Sequence, residues 1–136
     1  MITAVDSNVL LDILIDGAEH ATASRRSFRA CFEEGSVVAC DVVVAEVGSR
    51  FTSSVATTAA FDVFGLRFDA IDLTASLAAA EAWRSYRRRG GKRERMLADF
   101  LIGAHAQTRA DRLLTRDRGF YRTYFKRLRL IDPAKL

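Results

Sequence analysis

The sequence predicts an α/β fold, a central parallel sheet with helices on both faces. Short apolar runs alternate with longer stretches of helical periodicity from end to end. Two of those runs are followed at once by aspartates, Asp6 and Asp117. Such acids fall on the carboxyl edge of a parallel sheet, where ligands of these folds bind. The length, 136 residues with a single proline at Pro133 and no repeat or linker, fits one domain of about 100–150 residues over positions 1–136.

The elements follow in order. Ile2–Val5 reads as a buried strand. Residues 7–15 read as a helix with Val9, Leu10, Ile13 and Leu14 on one side. Residues 19–34 form a second helix, closed by Gly35. Residues 36–39 are a short strand, and Asp41 is a fitting N-cap for the helix that carries Glu46. A short helix over 52–65 ends at Gly65, and a brief strand follows at 66–68. Residues 74–88 are an Ala-rich helix that packs through Leu77, Ala80, Ala82 and Trp83 and breaks at Gly90-Gly91. Residues 97–109 form the next helix, in which Gly103 and Ala104 permit close packing on the sheet. A strand at 113–115, a short helix at 119–125 and a last strand at 128–131 complete the chain.

Hydrophobic residues make up 49% of the chain, enough for one core. No window approaches the roughly 18 consecutive apolar residues of a membrane span. The N-terminus lacks the basic start of a signal peptide. Cys31 and Cys40 match no zinc spacing and read as buried, reduced thiols. A cytoplasmic protein is the expectation. The net charge of +4 is unevenly distributed. Arg84, Arg87, Arg88, Arg89, Lys92, Arg93 and Arg95 crowd one stretch, and Arg116, Arg118, Arg122, Lys126, Arg127 and Arg129 another. Clustered arginine suits phosphate or an acidic partner. It equally suits a solvated helix face.

Four acids sit at the edge of apolar elements or inside them: Asp6, Glu46, Asp99 and Asp117. Singly, each has an ordinary explanation. Asp6 and Asp117 are placed to cap helices, Asp99 to meet a helix dipole, and Glu46 to mark a helix boundary. Asp12 reads as a supporting or solvent-facing residue, and His20 and His105 as packing or surface histidines. Gathered together, the four acids would make a site for a hard divalent cation.

Their order and settings resemble one family. The chain runs strand-Asp6-Ser7-Asn8 with Leu10-Leu11-Asp12, then Glu46 on a helix, then Asp99-Phe100-Leu101-Ile102-Gly103-Ala104-His105-Ala106. Leu113-Leu114-Thr115-Arg116-Asp117-Arg118-Gly119-Phe120-Tyr121 follows. This is similar to PIN-domain ribonucleases, and specifically to VapC-type toxins of type II toxin–antitoxin pairs. The resemblance spans Met1 to Pro133, although residues 51–72 carry no family motif. It implies a three-layer α/β/α sandwich around a parallel sheet, with an acidic pocket at one sheet edge. Asp6, Glu46, Asp99 and Asp117 match the family's catalytic acids, with Asp6, Asp99 and Asp117 as metal ligands. Ser7, Asn8 and Thr115 match its supporting polar positions.

The implied reaction is hydrolysis of RNA phosphodiester bonds with Mg²⁺ or Mn²⁺, in a homodimer neutralised by a VapB-type antitoxin. Arg87, Arg88, Arg89, Lys92, Arg93 and Arg116 are the expected RNA contacts, by charge. A PIN nuclease of RNA processing outside a toxin pair is the nearest alternative. A non-catalytic RNA-binding or regulatory module is another. A receiver domain fits poorly, because no adjacent acidic pair stands near Asp6.

Overall fold

A computed structural model of the chain describes residues 1–16, 19–91 and 97–135. Lys92 and Arg93, expected to contact RNA, lie outside those residues. The strands are β1 (Ile2–Val5), β2 (Ser36–Ala39), β3 (Arg67–Phe68), β4 (Arg112–Leu114) and β5 (Leu130–Ile131). They form one sheet in the order β3-β2-β1-β4-β5, with every pairing parallel. In the central strand, Ala4 lies opposite Val38 on one side and Leu113 on the other. Thr3, Ala4 and Val5 are all buried. Successive side chains of a strand point to opposite faces, so both faces of β1 are covered. This is the α/β/α sandwich the sequence predicts.

The helices are α1 (Ser7–Leu11), α2 (Ala21–Glu34), α3 (Asp41–Gly48), α4 (Ser54–Val63), α5 (Leu73–Arg88), α6 (Leu97–Arg109) and α7 (Arg118–Tyr124). No helix among the described residues is long and apolar enough to cross a membrane. Several boundaries differ from the sequence reading. The first helix stops at Leu11 and continues as a π-helical turn, Asp12–Asp16. Such turns re-aim side chains, and this one begins at Asp12, whose carboxylate is buried against Ser24 and Arg116. Asp41 does not cap α3. Cys40 holds that position, and the Asp41 carboxylate accepts the Ile71 N–H at 3.1 Å instead. β3 and β5 are two residues each, as befits sheet edges.

The chain order defines where a ligand belongs. From β1 the chain moves outward through β2 and β3, then returns to the other side of β1 for β4 and β5. The order therefore reverses between β1 and β4. In open parallel sheets the crevice beyond the strand ends at such a reversal is the binding site. Asp6 follows β1 there, and Thr115 to Asp117 follow β4.

Aromatic packing fixes the helices around that crevice. Phe100 is fully buried and meets Trp83, Tyr86 and Phe120 with ring centroids 5.1, 5.4 and 5.0 Å away. Burial of one such ring contributes about 2–3 kcal/mol. Phe100 directly follows Asp99, and Phe120 directly precedes Tyr121. The same cluster thus holds the start of α6 and the middle of α7. Gly103 extends the arrangement. A Cβ there would overlap the Phe125 ring, so Gly103 serves a ring after α7 rather than the sheet.

Candidate active site

Asp6 leaves β1 in an extended conformation, and its N–H donates to the Leu114 carbonyl at 3.0 Å. That bond ties the carboxyl ends of β1 and β4 together. One carboxylate oxygen, Oδ1, accepts the Ser7 N–H at 2.8 Å. The other, Oδ2, accepts the Thr115 hydroxyl at 2.8 Å and the Tyr121 phenol at 3.0 Å. The Asn8 amide reaches the same oxygen at 3.3 Å. Asp6 is only 6% exposed. Burial pushes its pKa up to about 6 against the opposing pull of the Thr115, Tyr121 and Ser7 hydrogen bonds, and the nearby Asp99 charge adds to the rise.

Thr115, fully buried, is the hub of the loop after β4. Its hydroxyl donates to Asp6 and accepts the Asp117 N–H at 3.0 Å. Asn8 closes the loop from the other side, its Oδ1 accepting the Arg116 N–H at 3.2 Å. Ser7 turns toward α3 and donates its hydroxyl to Glu46 Oε1 at 2.6 Å. Glu46 is exposed, while Val43 and Val47 on the same helix are buried. Thus Ser7, Asn8 and Thr115, predicted to support the acids, all touch them or their loop.

Asp99 is the third residue of α6 and Asp117 stands at the start of α7, both half-buried. The Asp117 side chain makes no capping bond to α7, so a helix cap does not account for it. Tyr121 shows that the acids converge. Burial raises its phenol well above the ordinary tyrosine range, followed by the charge and hydrogen bond of Asp6 and the charges of Asp99 and Asp117. Three aspartates from three separate segments therefore act on one buried hydroxyl. The phenol stays protonated and remains a donor to Asp6.

The donor set is all oxygen and anionic, which suits a hard cation such as Mg²⁺. Among the described residues, no three Asp, Glu, His or Cys side chains stand close enough to enclose an ion. Mg²⁺ does not require such a cage. It is ordinarily held by one or two carboxylates, with waters and substrate phosphates completing its shell. Asp6, Asp99 and Asp117 offer carboxylate oxygens of that kind, so the residues present fit the ion.

Sequence reasoning missed Tyr121, which lies four positions after Asp117, on the same side of α7, the available signal. Of the two readings given to Asp12, supporting or solvent-facing, the structure shows the supporting one, at 6% exposure. Asp12 accepts Arg116 Nε at 2.8 Å and Nη2 at 3.0 Å, and the Ser24 hydroxyl at 2.7 Å. Arg116, expected to reach RNA, thus has its guanidinium committed to Asp12. Arg87, Arg88 and Arg89 are exposed at the end of α5. His105 is buried with Nε2 2.8 Å from Asp69 Oδ2, which bears out packing rather than surface exposure.

Comparison with known proteins agrees with this geometry. No curated protein sequence matches the chain. Among solved structures, the VapBC2 complex of Rickettsia felis, bound to a promoter DNA fragment, is similar with a TM-score of 0.75 at 16% identity. The match covers 97% of this chain and 98% of that one. FitAcB from Neisseria gonorrhoeae has a TM-score of 0.68 at 21% identity, with both chains covered completely. Mycobacterium tuberculosis VapC20, a toxin that cleaves the sarcin–ricin loop, has a TM-score of 0.65 at 16% identity over 93% of this chain and 98% of that one. The PIN domain family matches residues 3–126, the stretch from the first turn of β1 to the end of α7 and all the acids between. With that match and an acid-lined sheet reversal, the chain belongs to the PIN domain family.

Proposed function

We propose that the chain is a metal-dependent endoribonuclease, the toxin of a type II toxin–antitoxin pair, formed by one PIN domain over residues 1–136. The observation that carries this reading is the buried Asp6 carboxylate, braced by four donors at the sheet reversal and coupled to Asp99. Structural neighbours that include VapBC complexes and a toxin that cleaves the sarcin–ricin loop support it.

In this reading Asp6 and Asp99 hold Mg²⁺ or Mn²⁺ directly, while Asp117 and Glu46 complete the site, directly or through water. The ion supplies an activated water and charge stabilisation at the scissile phosphate. The chain's own residues do the positioning. Thr115 and Tyr121 keep Asp6 Oδ2 in place, and Ser7 Nα–H fixes Oδ1, so the carboxylate cannot rotate as the substrate enters. Ser7 also holds Glu46 toward the same crevice, and the Asp12–Arg116 pair anchors the loop that carries Asp117. Arg87, Arg88 and Arg89, with Lys92 and Arg93, contact phosphates. A VapB-type antitoxin neutralises the enzyme, which acts as a cytoplasmic homodimer.

The test is cleavage of total RNA by the purified protein in Mg²⁺ or Mn²⁺, in EDTA, and with Asp6→Ala and Asp99→Ala variants. Cutting that needs the metal and disappears in both variants is expected. Cutting that survives in EDTA, or in folded Asp99→Ala protein, would remove the proposal.

A further inference from the structure

Several arginines of this protein are held by carboxylates within the fold. Arg109, Arg112, Arg116 and Arg118 are each matched with a carboxylate: Asp69 and Asp72, Glu34, Asp12 and Asp132 respectively. Arg89, Lys126 and Arg127 are not matched with any carboxylate among the described residues. All three line one groove of about 260 Å³, between the later part of α5, the C-terminal end of α6, and the end of α7 with the segment just after it. Gln107, Thr123 and Ser85 supply further polar groups to its walls, and no acid lines it. All three cations are exposed. Three like charges around one groove repel each other, and an anion with several charges relieves that repulsion.

We infer that this groove holds the phosphate backbone of a single RNA strand whose scissile bond lies at the acidic crevice, a proposal that rests on the ribonuclease reading above. The two sites share their framework. Asp99 and Gln107 are eight residues apart on α6, roughly 12 Å along the helix axis. Asp117 and Tyr121 lead along α7 to Thr123, Lys126 and Arg127. A stacked strand advances about 3.4 Å per nucleotide, so a few nucleotides bridge crevice and groove. The groove has cations for the backbone and a small number of neutral polar groups. It therefore positions a strand and does not read its sequence. An acidic polypeptide is the competing occupant. The argument for RNA is continuity with the crevice along both α6 and α7.

The test measures binding of a fluorescently labelled oligouridylate 12-mer to the full chain in EDTA across a salt series, so that no cleavage intervenes. A Lys126→Ala/Arg127→Ala variant is compared with the parent and with Arg25→Ala/Arg26→Ala. The latter lowers the net charge equally on exposed positions of α2. The groove variant should bind at least tenfold more weakly at low salt. Its log–log salt slope should be shallower by about 1.4, since each phosphate contact on a single strand contributes about 0.7. The control should change less than twofold. Equal affinities and slopes for groove variant and parent, or equal losses in groove variant and control, would overturn the proposal. So would a groove variant that keeps RNA affinity but releases poly-glutamate, which would assign the groove to an acidic polypeptide. The two readings fail separately. A parent that binds RNA through the groove but never cuts it in metal defeats the nuclease alone. A parent that cuts RNA while the groove variant binds unchanged defeats the groove alone.

Discussion

Two carboxylate clusters in this protein have opposite physics. At the reversal between β1 and β4, Asp6 is buried and accepts only uncharged donors among the described residues, and its pKa rises to about 6 through burial. Next to β3, Asp69 takes a fork from Arg109, Nε at 2.6 Å and Nη2 at 3.0 Å, and the ring of His105 at 2.8 Å. Arg109 also reaches Asp72 at 2.8 Å. The Arg109 hydrogen bonds, ahead of those from His105, hold the Asp69 carboxyl below the usual range. In one cluster a buried carboxylate is met by hydroxyl and amide donors, and in the other an acid is matched with an arginine within the fold. The difference separates acids kept for chemistry from acids kept for architecture. Burial differs as well, since Asp6 is buried while Asp69 and Asp72 are partly exposed.

The sharpest way to break the contrast is Asp6→Asn. RNA cleavage in Mg²⁺ should fall by at least about 100-fold, the usual scale for removing a group that acts in the chemical step. The melting temperature, read by circular dichroism without metal, should not fall. The matching substitution in the other cluster, Asp69→Asn, should do the reverse.

Next in size is the pH dependence. Asp6 has a folded pKa above its unfolded value of about 3.9. The folded protein therefore binds the extra proton between pH 4 and 6, and stability decreases as pH rises through that window. At roughly 1.4 kcal/mol per pKa unit, ionised Asp6 costs the metal-free protein about 3 kcal/mol at pH 7. Urea unfolding in EDTA should show greater stability at pH 5 than at pH 7 from this group. Mg²⁺ should raise stability more at pH 7 than at pH 5. Asp69 contributes with the opposite sign. Its folded pKa is depressed, so its stabilisation is present above the unfolded value and is lost as pH drops below about 4. A denaturation series that shows no gain between pH 7 and pH 5 would contradict the Asp6 assignment.

Arg109→Ala should lower the urea midpoint of unfolding modestly, because the pairs it breaks are partly exposed. Cleavage per folded molecule should stay within about threefold, because the Asp69 cluster does not touch the crevice acids. The smallest expected effect is Tyr121→Phe. It removes one of four donors to Asp6, worth about 1 kcal/mol, and pushes the Asp6 pKa higher. Cleavage should fall less than tenfold at neutral pH and recover as pH rises. A loss as large as that of Asp6→Asn would show that the phenol does more than hold the carboxylate.

Much of this was legible in the sequence. The alternation of apolar runs with helical stretches specified a parallel α/β sheet, because a strand buried on both faces must be apolar at every position, as Thr3-Ala4-Val5 nearly is. The C-terminal end of helix α6 was read correctly, at Arg109. The polar neighbours Ser7, Asn8 and Thr115 came from the family resemblance, and each stands within two residues of an acid in sequence. What adjacency does not carry is pairing over distance. Asp12 and Arg116 are more than a hundred positions apart, and nothing local distinguishes a buried, paired aspartate from a solvent-facing one. His105 and Asp69 meet across 36 residues for the same reason. The π-helical turn after Leu11 was also invisible, since it follows from where the Asp12 carboxylate must go and not from helix propensity.

By itself, then, the chain determined which segments are strands and helices and which side chains sit next to its acids, because periodicity and sequence neighbours are local properties. Only the tertiary structure decided which donors meet Asp6 and which meet Asp69. Those donors come from segments distant in the chain, threonine and tyrosine hydroxyls in one place and an arginine fork in the other.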